Sequence, residues 1–130
     1  MVLLKHTLPD GSFHYDWMLA RSDQPGDDQR DLVTFRVGVR VDGSLIWPVR
    51  AERLPDHRAV YLRFEGAIGA GRGSVERVAA GECDIERDEP GEFATRIRWG
   101  DGVWSSLRAN PVCGEPGAND AWLIEVAPGA

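Results

Sequence analysis

The sequence is poor in several residue types that mark particular classes of protein. It has two cysteines, Cys83 and Cys113, which are isolated from each other and form no C-x-x-C pair. This usage excludes a dense disulfide framework and is typical of a reduced intracellular protein. Of the 15 basic residues only Lys5 is a lysine and the rest are arginines. We attribute that skew to a GC-rich genome rather than to function.

Long apolar runs and an excess of positive charge are also missing. No stretch approaches the ~20 apolar residues that are needed to cross a bilayer. The apolar run at residues 2–4 is ended by Lys5 and His6, too early for a signal peptide. The formal net charge is -6, which argues against indiscriminate binding to nucleic acid or anionic membrane but allows a local basic patch. We therefore expect a cytoplasmic protein that does not bind membranes.

What the sequence does contain predicts one globular domain over residues 1–130. Apolar residues make up 42% of the chain and charged residues 28%, as is ordinary for a folded domain that buries a core. Turn signals recur every few residues, and no helical period of useful length is visible. The pattern predicts an all-β fold: a compact closed or partly open β-barrel of about eight short, mainly antiparallel strands with little helix.

The predicted strands lie between turns rich in Gly, Pro and Asp. The clearest is residues 32–41, where apolar residues alternate with Thr34, Arg36 and Arg40. Asp42-Gly43 then predicts a hairpin, with a return strand at residues 44–50 near a sheet edge because Pro48 cannot donate to a ladder. The other predicted strands are residues 2–7, 12–20, 58–65, 74–79, 82–87, 92–99, 103–109 and 121–126, with long loops at residues 21–31 and 110–120.

Residues 66–73 form a glycine-rich stretch that superficially resembles a phosphate-binding loop. A P-loop needs a Gly-Lys-Ser/Thr sequence that opens a helix, and neither feature follows here. We therefore expect these glycines to supply backbone freedom at a corner of the sheet.

The most distinctive chemistry lies in residues 5–19, which hold His6, His14 and Asp16 around a Pro-Asp-Gly turn. If the turn closes a hairpin, His14 and Asp16 leave the same face of one strand and His6 lies beside them. Two imidazoles and a carboxylate suit a divalent transition metal. The alternative is a hydrogen-bonded polar cluster without a metal, because histidines near turns are common.

An ordered set of short motifs runs along nearly the whole chain. The set is Lys5-His6, His14-Tyr15-Asp16, Asp56-His57, Tyr61, Phe64-Glu65-Gly66, Arg98-Trp99-Gly100 and the closing Ala-Trp-Leu-Ile-Glu at residues 121–125. In this order the motifs resemble those of the 3′-phosphoesterase domain of bacterial DNA ligase D, including the stand-alone versions of that domain.

The resemblance implies a β-barrel whose interior holds a manganese ion and a phosphate site. His6, His14 and Asp16 match the metal ligands of the family, and His57 and Tyr61 match residues beside the reacting phosphate. The implied activity is removal of a terminal ribonucleoside and then a 3′-phosphate from nucleic-acid 3′ ends in DNA repair, with a ligase or end-joining protein as partner. A histidine that titrates near neutrality suits proton donation to the leaving oxygen.

Two departures from the family pattern leave other functions open. Met18 stands where the family has an arginine aimed at the phosphate, and a methionine cannot make a charge-assisted hydrogen bond. Pro55 likewise replaces a glutamate found in many members. The candidate replacements for the arginine are Arg50, Arg53, Arg63 and Arg72, and alternation with Tyr61 favours Arg63. The alternatives are a non-catalytic metal- or nucleic-acid-binding barrel and a phosphoesterase for a small phosphorylated metabolite.

Overall fold

The computed structural model describes residues 1–43, 46–112 and 120–129. These residues form nine strands: β1 (Val2–Thr7), β2 (Phe13–Ala20), β3 (Leu32–Val37), β4 (Val49–His57), β5 (Gly66–Ala67), β6 (Ser74–Glu89), β7 (Glu92–Trp99), β8 (Ser105–Pro111) and β9 (Ala121–Pro128). A 3₁₀ helix, Ala59–Leu62, lies between β4 and β5. Within the described residues, no helix has the length and apolar character needed to span a membrane.

All nine strands belong to one antiparallel sheet that closes on itself. The strand order is β1-β2-β3-β4-β9-β8-β7-β6-β5, and an additional pairing joins β1 to β6. The ring closes because the first half of β6 pairs with β1 while its second half pairs with β7. The predicted all-β barrel is therefore confirmed, with β5 as a short addition beside β6.

The interior of the ring is filled by apolar side chains that alternate along the strands. Leu3 pairs with Trp17, which in turn pairs with Phe35, and all three side chains are fully buried. The ring of Phe35 packs against Phe93 and Trp122, with centroid distances of 5.7 Å and 5.8 Å. A barrel of this size has an interior that side chains can fill completely, so its inside is a packed core.

A second apolar cluster lies on the outer face of the barrel. This outer cluster consists of Val2, Leu4, Met18, Leu32 and Val75. The 3₁₀ helix and the segment after it cover the cluster, since Tyr61, Leu62, Phe64 and Ile68 pack against it. Residues 59–68 therefore cover this outer side of the barrel and shield the cluster from solvent.

The hairpin of β1 and β2 brings the predicted metal ligands to this outer face. His6 pairs with His14, and Leu4 pairs with Asp16. These residues alternate with Leu3 and Trp17, which point into the ring, so the histidines and the aspartate point outward. The expectation of a site in the barrel interior is therefore wrong, because apolar side chains fill that space.

Five of the predicted strands agree with β1, β2, β7, β8 and β9 to within two residues at each end. The strand predicted for residues 32–41 instead ends at Val37, because the chain then leaves the sheet and Arg40 binds the side chain of Asp42 at 2.7 Å. Its return strand begins at Val49, directly after Pro48. The predicted start at residue 44 lies outside the described residues, as does most of the predicted loop at residues 110–120.

Residues 74–79 and 82–87 are strand as predicted, but the predicted break between them is wrong: both belong to the single strand β6 of 16 residues, which pairs with β1 in its first half and with β7 in its second. The strand predicted for residues 58–65 is wrong. Ala59–Leu62 form the 3₁₀ helix, in which Tyr61 N–H bonds to the Arg58 carbonyl at 3.2 Å and Arg63 N–H bonds to the Val60 carbonyl at 3.0 Å. The strand alternation that favoured Arg63 as a neighbour of Tyr61 therefore does not exist.

The glycine-rich stretch lies against the end of β1, as expected of a sheet corner. Gly73 has a positive φ of 90°, and a Cβ atom at this position would overlap the carbonyl oxygen of Thr7. Thr7 pairs with Ser74, the next residue along β6. Because only glycine fits both the backbone angle and the close approach, Gly73 lets residues 66–73 lie directly against β1.

Replacing Gly73 by alanine is expected to lower the free energy of unfolding by about 2 kcal/mol or more, because strain and overlap act together. Gly69 is the matched control, since a Cβ there meets no atom within 4 Å. Gly69→Ala should change the free energy of unfolding by no more than about 0.5–1 kcal/mol. Urea denaturation of both variants makes the comparison, and equal effects would contradict the assignment of Gly73 to a packing role.

Candidate metal centre

Three side chains converge on the outer face of the β1–β2 hairpin. His14 Nε2 lies 3.3 Å from Asp16 Oδ1, and His6 Nδ1 lies 3.5 Å from Asp16 Oδ2. The two imidazole rings meet edge to face with centroids 4.8 Å apart. One ligand atom from each of the three residues lies within 4.8 Å of the other two. The grouping predicted from sequence spacing is thus present in the fold.

The polar atoms at the centre of this triad lack ordinary partners. Asp16 is only 4% exposed, and its Oδ1 and the Nε2 of His14 make no hydrogen bond to any described part of the protein. Their 3.3 Å separation is within hydrogen-bond range, but the two groups are not aligned for one. A buried carboxylate without compensation costs several kcal/mol. A cation held between these atoms would compensate the carboxylate.

Two of the separations between these atoms are compatible with a shared metal ion. Nitrogen and oxygen ligands lie about 2.0–2.2 Å from an ion such as zinc. Two such ligands at an angle of about 90–110° are separated by roughly 3.0–3.5 Å. The contacts of His14 and His6 to Asp16, at 3.3 Å and 3.5 Å, fall in that range and end on different oxygens of the carboxylate. Three ligands of this kind would leave further coordination positions of a divalent ion for water or substrate.

A backbone hydrogen bond fixes which nitrogen of His6 faces the triad. His6 Nε2 lies 2.8 Å from the carbonyl oxygen of Arg72. A carbonyl only accepts, so Nε2 carries a hydrogen, and in the neutral ring Nδ1 then has its lone pair on the side of Asp16. Metal-binding histidines characteristically donate their second N–H to a carbonyl or carboxylate in this way. The segment that Gly73 holds against β1 therefore orients His6.

His57 and Tyr61 lie in a neighbouring cleft of about 380 Å³, here called the His57 cleft. Its lining residues are Arg30, Pro55, Asp56, His57, Arg58, Tyr61 and Arg72. His57 Nδ1 donates to the Pro55 carbonyl at 2.8 Å, which leaves a lone pair on Nε2. The rings of His57 and Tyr61 meet edge to face at 5.8 Å. Arg72 connects this cleft to the triad, because its carbonyl oxygen binds His6.

The His57 cleft carries an excess of positive charge. Three arginines line it against a single carboxylate, that of Asp56. Asp56 is paired with Arg21 at 2.7 Å, and Arg21 also binds Asp88 at 2.6 Å. Partial burial alone would lower the pKa of Arg21, but hydrogen bonds to these two carboxylates outweigh it and raise the pKa. With its carboxylate neutralised, the cleft suits an anion such as a phosphate group.

The four arginines proposed from the sequence as phosphate ligands lie in different places. Arg72 lines the His57 cleft. Arg63 pairs with Asp27. Arg50 lines another cleft of about 470 Å³, which it shares with His14.

Arg53 has a structural role at the end of the barrel core. Its guanidinium lies 5.1 Å from the ring centroid of Trp122 and 5.6 Å from that of Phe35. It also donates to Asp88 at 3.2 Å. Burial alone would raise the pKa of Asp88, but hydrogen bonds from Arg21 and Arg53 lower it. Arg53 thus covers one part of the core through aromatic and ionic contacts.

Two arginines of the His57 cleft were not anticipated from the sequence. Arg30 belongs to the loop between β2 and β3, and Arg58 precedes the 3₁₀ helix. The two segments meet because Ala59 N–H bonds to the Gln29 carbonyl at 2.8 Å and Val60 N–H bonds to the Asp27 carbonyl at 3.1 Å. Nothing in the local sequence signals this contact between distant segments, so the two cations carry no visible motif.

The position of Met18 does not accommodate an arginine. Met18 is 1% exposed and belongs to the outer cluster. Tyr61 and Phe64 pack over that cluster. A guanidinium here would be buried among apolar groups at a cost of several kcal/mol. The cations near His57 are instead Arg30, Arg58 and Arg72, which lie outside the covering segment.

No protein-family model matches the chain, and no curated protein matches it. The grounds for a function are therefore the geometry of the triad and the charge of the His57 cleft. The resemblance to the 3′-phosphoesterase family stays a prediction.

The substitution Asp16→Asn separates a metal centre from a polar cluster. If the triad binds metal, excess manganese should raise the melting temperature of the wild-type protein by on the order of 10 °C at a hundredfold excess over Kd. Asp16→Asn should abolish this shift without lowering the melting temperature of the metal-free protein, because the amide removes a buried charge.

The matched control is Asp10→Asn, which removes a carboxylate from the turn of the same hairpin, where it binds Ser12. It should keep the full metal-induced shift. A hydrogen-bonded cluster that binds no metal predicts the opposite pattern. Manganese should then leave the melting temperature of every protein unchanged, and Asp16→Asn should have a lower melting temperature than the wild-type protein without metal. Differential scanning fluorimetry in EDTA and in manganese distinguishes the two.

Proposed function

We propose that the chain is a metal-dependent phosphoesterase that processes the 3′ ends of nucleic acid in DNA repair. The observation that carries the proposal is the pair of buried, unpartnered atoms His14 Nε2 and Asp16 Oδ1 beside a cationic cleft that contains His57. The proposed ion is manganese, the metal implied by the resemblance, held by His6, His14 and Asp16.

The residues of the two sites would divide the chemistry between them. A bound divalent ion supplies polarisation of a phosphoryl oxygen and a lowered pKa for a coordinated water. The guanidinium groups of Arg30, Arg58 and Arg72 would bind the non-bridging phosphate oxygens and stabilise charge that develops on them. His57, with Nδ1–H held by the Pro55 carbonyl, would exchange a proton at Nε2 with the leaving oxygen.

The choice of a nucleic-acid end as substrate is supported by the ordered motifs. His57 and Tyr61 follow the triad in the sequence in the order of the 3′-phosphoesterase family, and they lie together in the cleft that Arg72 joins to the triad. The proposed reactions are removal of a 3′-terminal ribonucleoside and of a 3′-phosphate. A separate ligase or other end-joining protein would then use the 3′-hydroxyl end.

The main rival is a non-catalytic barrel that binds metal or nucleic acid without turnover. The observation that favours it is the burial of Met18 in the outer cluster, which removes a cation that the family uses at the phosphate. Restoring an arginine at this position is a poor test, because the substitution would bury a charge. Activity assays on variants of the His57 cleft discriminate the two functions directly.

A phosphoesterase for a small phosphorylated metabolite is the third candidate. The His57 cleft, at about 380 Å³, is in the size range of small-molecule sites, and the net charge of -6 repels long polyanions. Competition distinguishes this substrate class, since unlabelled mononucleotides would inhibit as strongly as oligonucleotides if the site took only small phosphates.

The proposed activity is tested with manganese and a labelled primer-template that ends in a 3′-phosphate or a single 3′-ribonucleotide. The wild-type protein should give a metal-dependent product with a 3′-hydroxyl end. His57→Gln should lower the rate by roughly 10²- to 10⁴-fold, the usual contribution of a general acid or base. It should keep the manganese-induced rise in melting temperature, whereas His14→Ala should lose both properties.

Arg58→Gln and Arg87→Gln form the control pair for the cationic cleft. Arg58 lines it, whereas Arg87 is paired with Glu92 on the hairpin of β6 and β7. Only Arg58→Gln should slow the reaction. If the wild-type protein binds metal and oligonucleotide but forms no product, the non-catalytic binding function is established. If it forms no product and binds neither metal nor oligonucleotide, both the enzymatic and the non-catalytic functions are contradicted.

A further inference from the structure

A second cavity adjoins the His57 cleft and shares Arg58, Tyr61 and Arg72 with it. This cavity, here called the apolar pocket, has a volume of about 530 Å³. The rest of its lining is mostly uncharged: Val60, Phe64, Ala67, Ile68 and Gly69, with Asp27 and Asp28 as the two acidic residues. The two cavities therefore adjoin each other and differ in the chemistry of their linings.

The apolar pocket has a preformed floor. Tyr61, Phe64 and Ile68 pack against the outer cluster, which anchors their side chains from below. Tyr61 and Phe64 meet edge to face at 6.0 Å with an angle of 85° between the ring planes. Apolar and aromatic surfaces that are held in place in this way suit a flat, uncharged aromatic group.

The charges around the two cavities give the site a direction. Asp27 pairs with Arg63, and Asp28, whose side chain is 96% exposed, lies 3.6 Å from Arg58. Asp27 and Asp28 offset the charges of Arg58 and Arg72, which line both cavities, so the apolar pocket has no excess of positive charge. Arg30 lines only the His57 cleft, and the carboxylate of Asp56 there is paired with Arg21, so that cleft keeps an excess of positive charge and favours an anion. A ligand that spans the site would thus place its phosphate beside His57 and its uncharged part in the apolar pocket.

We propose that the apolar pocket binds the nucleoside attached to the reacting phosphate, with the base stacked on one ring of the floor formed by Tyr61 and Phe64 and against the edge of the other. The inference rests on the proposed function and specifies its substrate: a phosphate ester of a nucleoside, as opposed to a phosphorylated metabolite without an aromatic ring. Stacking accepts any base, because every base has a π-face. The pocket therefore selects nucleotides without selecting sequence.

The test compares three ligands on the manganese-loaded protein by isothermal titration calorimetry. They are inorganic phosphate, ethylphosphonate and an adenosine whose 3′ oxygen is replaced by a phosphonomethyl group, and the carbon–phosphorus bond of the two phosphonates resists hydrolysis. The adenosine phosphonate should bind at least about tenfold more tightly than ethylphosphonate, the usual size of one stacking contact.

Ala67→Tyr and Ala127→Tyr form a matched pair of variants. Both alanines are exposed residues of strands, so a larger side chain is compatible with folding, but only Ala67 lines the apolar pocket. Ala67→Tyr should abolish the preference for the adenosine ligand and leave the affinity for inorganic phosphate unchanged, whereas Ala127→Tyr should change neither. If Ala67→Tyr folds poorly, Phe64→Leu replaces it, with a reduced preference as the expected result.

Two results overturn the nucleoside pocket alone. One is an equal affinity of the protein for the adenosine phosphonate and ethylphosphonate; the other is a preference for the adenosine phosphonate that survives in Ala67→Tyr. In both cases inorganic phosphate still binds and the proposed function stands. Failure of all three ligands to bind, inorganic phosphate included, overturns the proposed function and the nucleoside pocket with it.

Discussion

The candidate site depends on one hydrogen bond, from His6 Nε2 to the carbonyl oxygen of Arg72 at 2.8 Å. The bond sets the tautomer of His6, so that Nδ1 faces the carboxylate of Asp16. It also fixes the place of Arg72, whose side chain lines both the His57 cleft and the apolar pocket. The bond forms because Gly73 allows the chain to approach β1 more closely than any residue with a side chain would. The candidate metal centre and the cationic His57 cleft are thus joined through a single backbone carbonyl.

The filled interior of the barrel determines where such a site lies. Leu3 of β1 and Trp17 and Leu19 of β2 belong to a packed core, which leaves the residues that alternate with them to face outward. On that outer face Val2, Leu4 and Met18 continue into His6, His14 and Asp16, so the apolar cluster and the polar triad share one surface. The segment at residues 59–68 covers the apolar part and brings Tyr61 with it. Burial of the cluster and assembly of the site are therefore parts of the same packing event.

Much of this arrangement follows from local sequence, and the remainder depends on contacts that local sequence does not encode. The period-two spacing of His14 and Asp16 and the turn before them predicted the triad, because a hairpin places these residues together whatever the rest of the fold does. The location of the triad outside the barrel was not predicted, since alternation defines two faces without stating which one becomes the interior. The 3₁₀ helix at Ala59–Leu62 was missed because alternation in a short segment also fits a strand. Arg30 and Arg58 were missed because their proximity to His57 arises from loop contacts with no motif.

The central claim is that the triad of His6, His14 and Asp16 is a metal centre, and anomalous diffraction from a crystal soaked in manganese tests it most directly. The account predicts a single strong anomalous peak on the outer face of the β1–β2 hairpin, about 2.0–2.3 Å from His6 Nδ1, His14 Nε2 and a carboxylate oxygen of Asp16. His6 Nε2 should still bind the Arg72 carbonyl. Absence of a peak between these three side chains, in a crystal that binds manganese elsewhere or nowhere, would contradict the account.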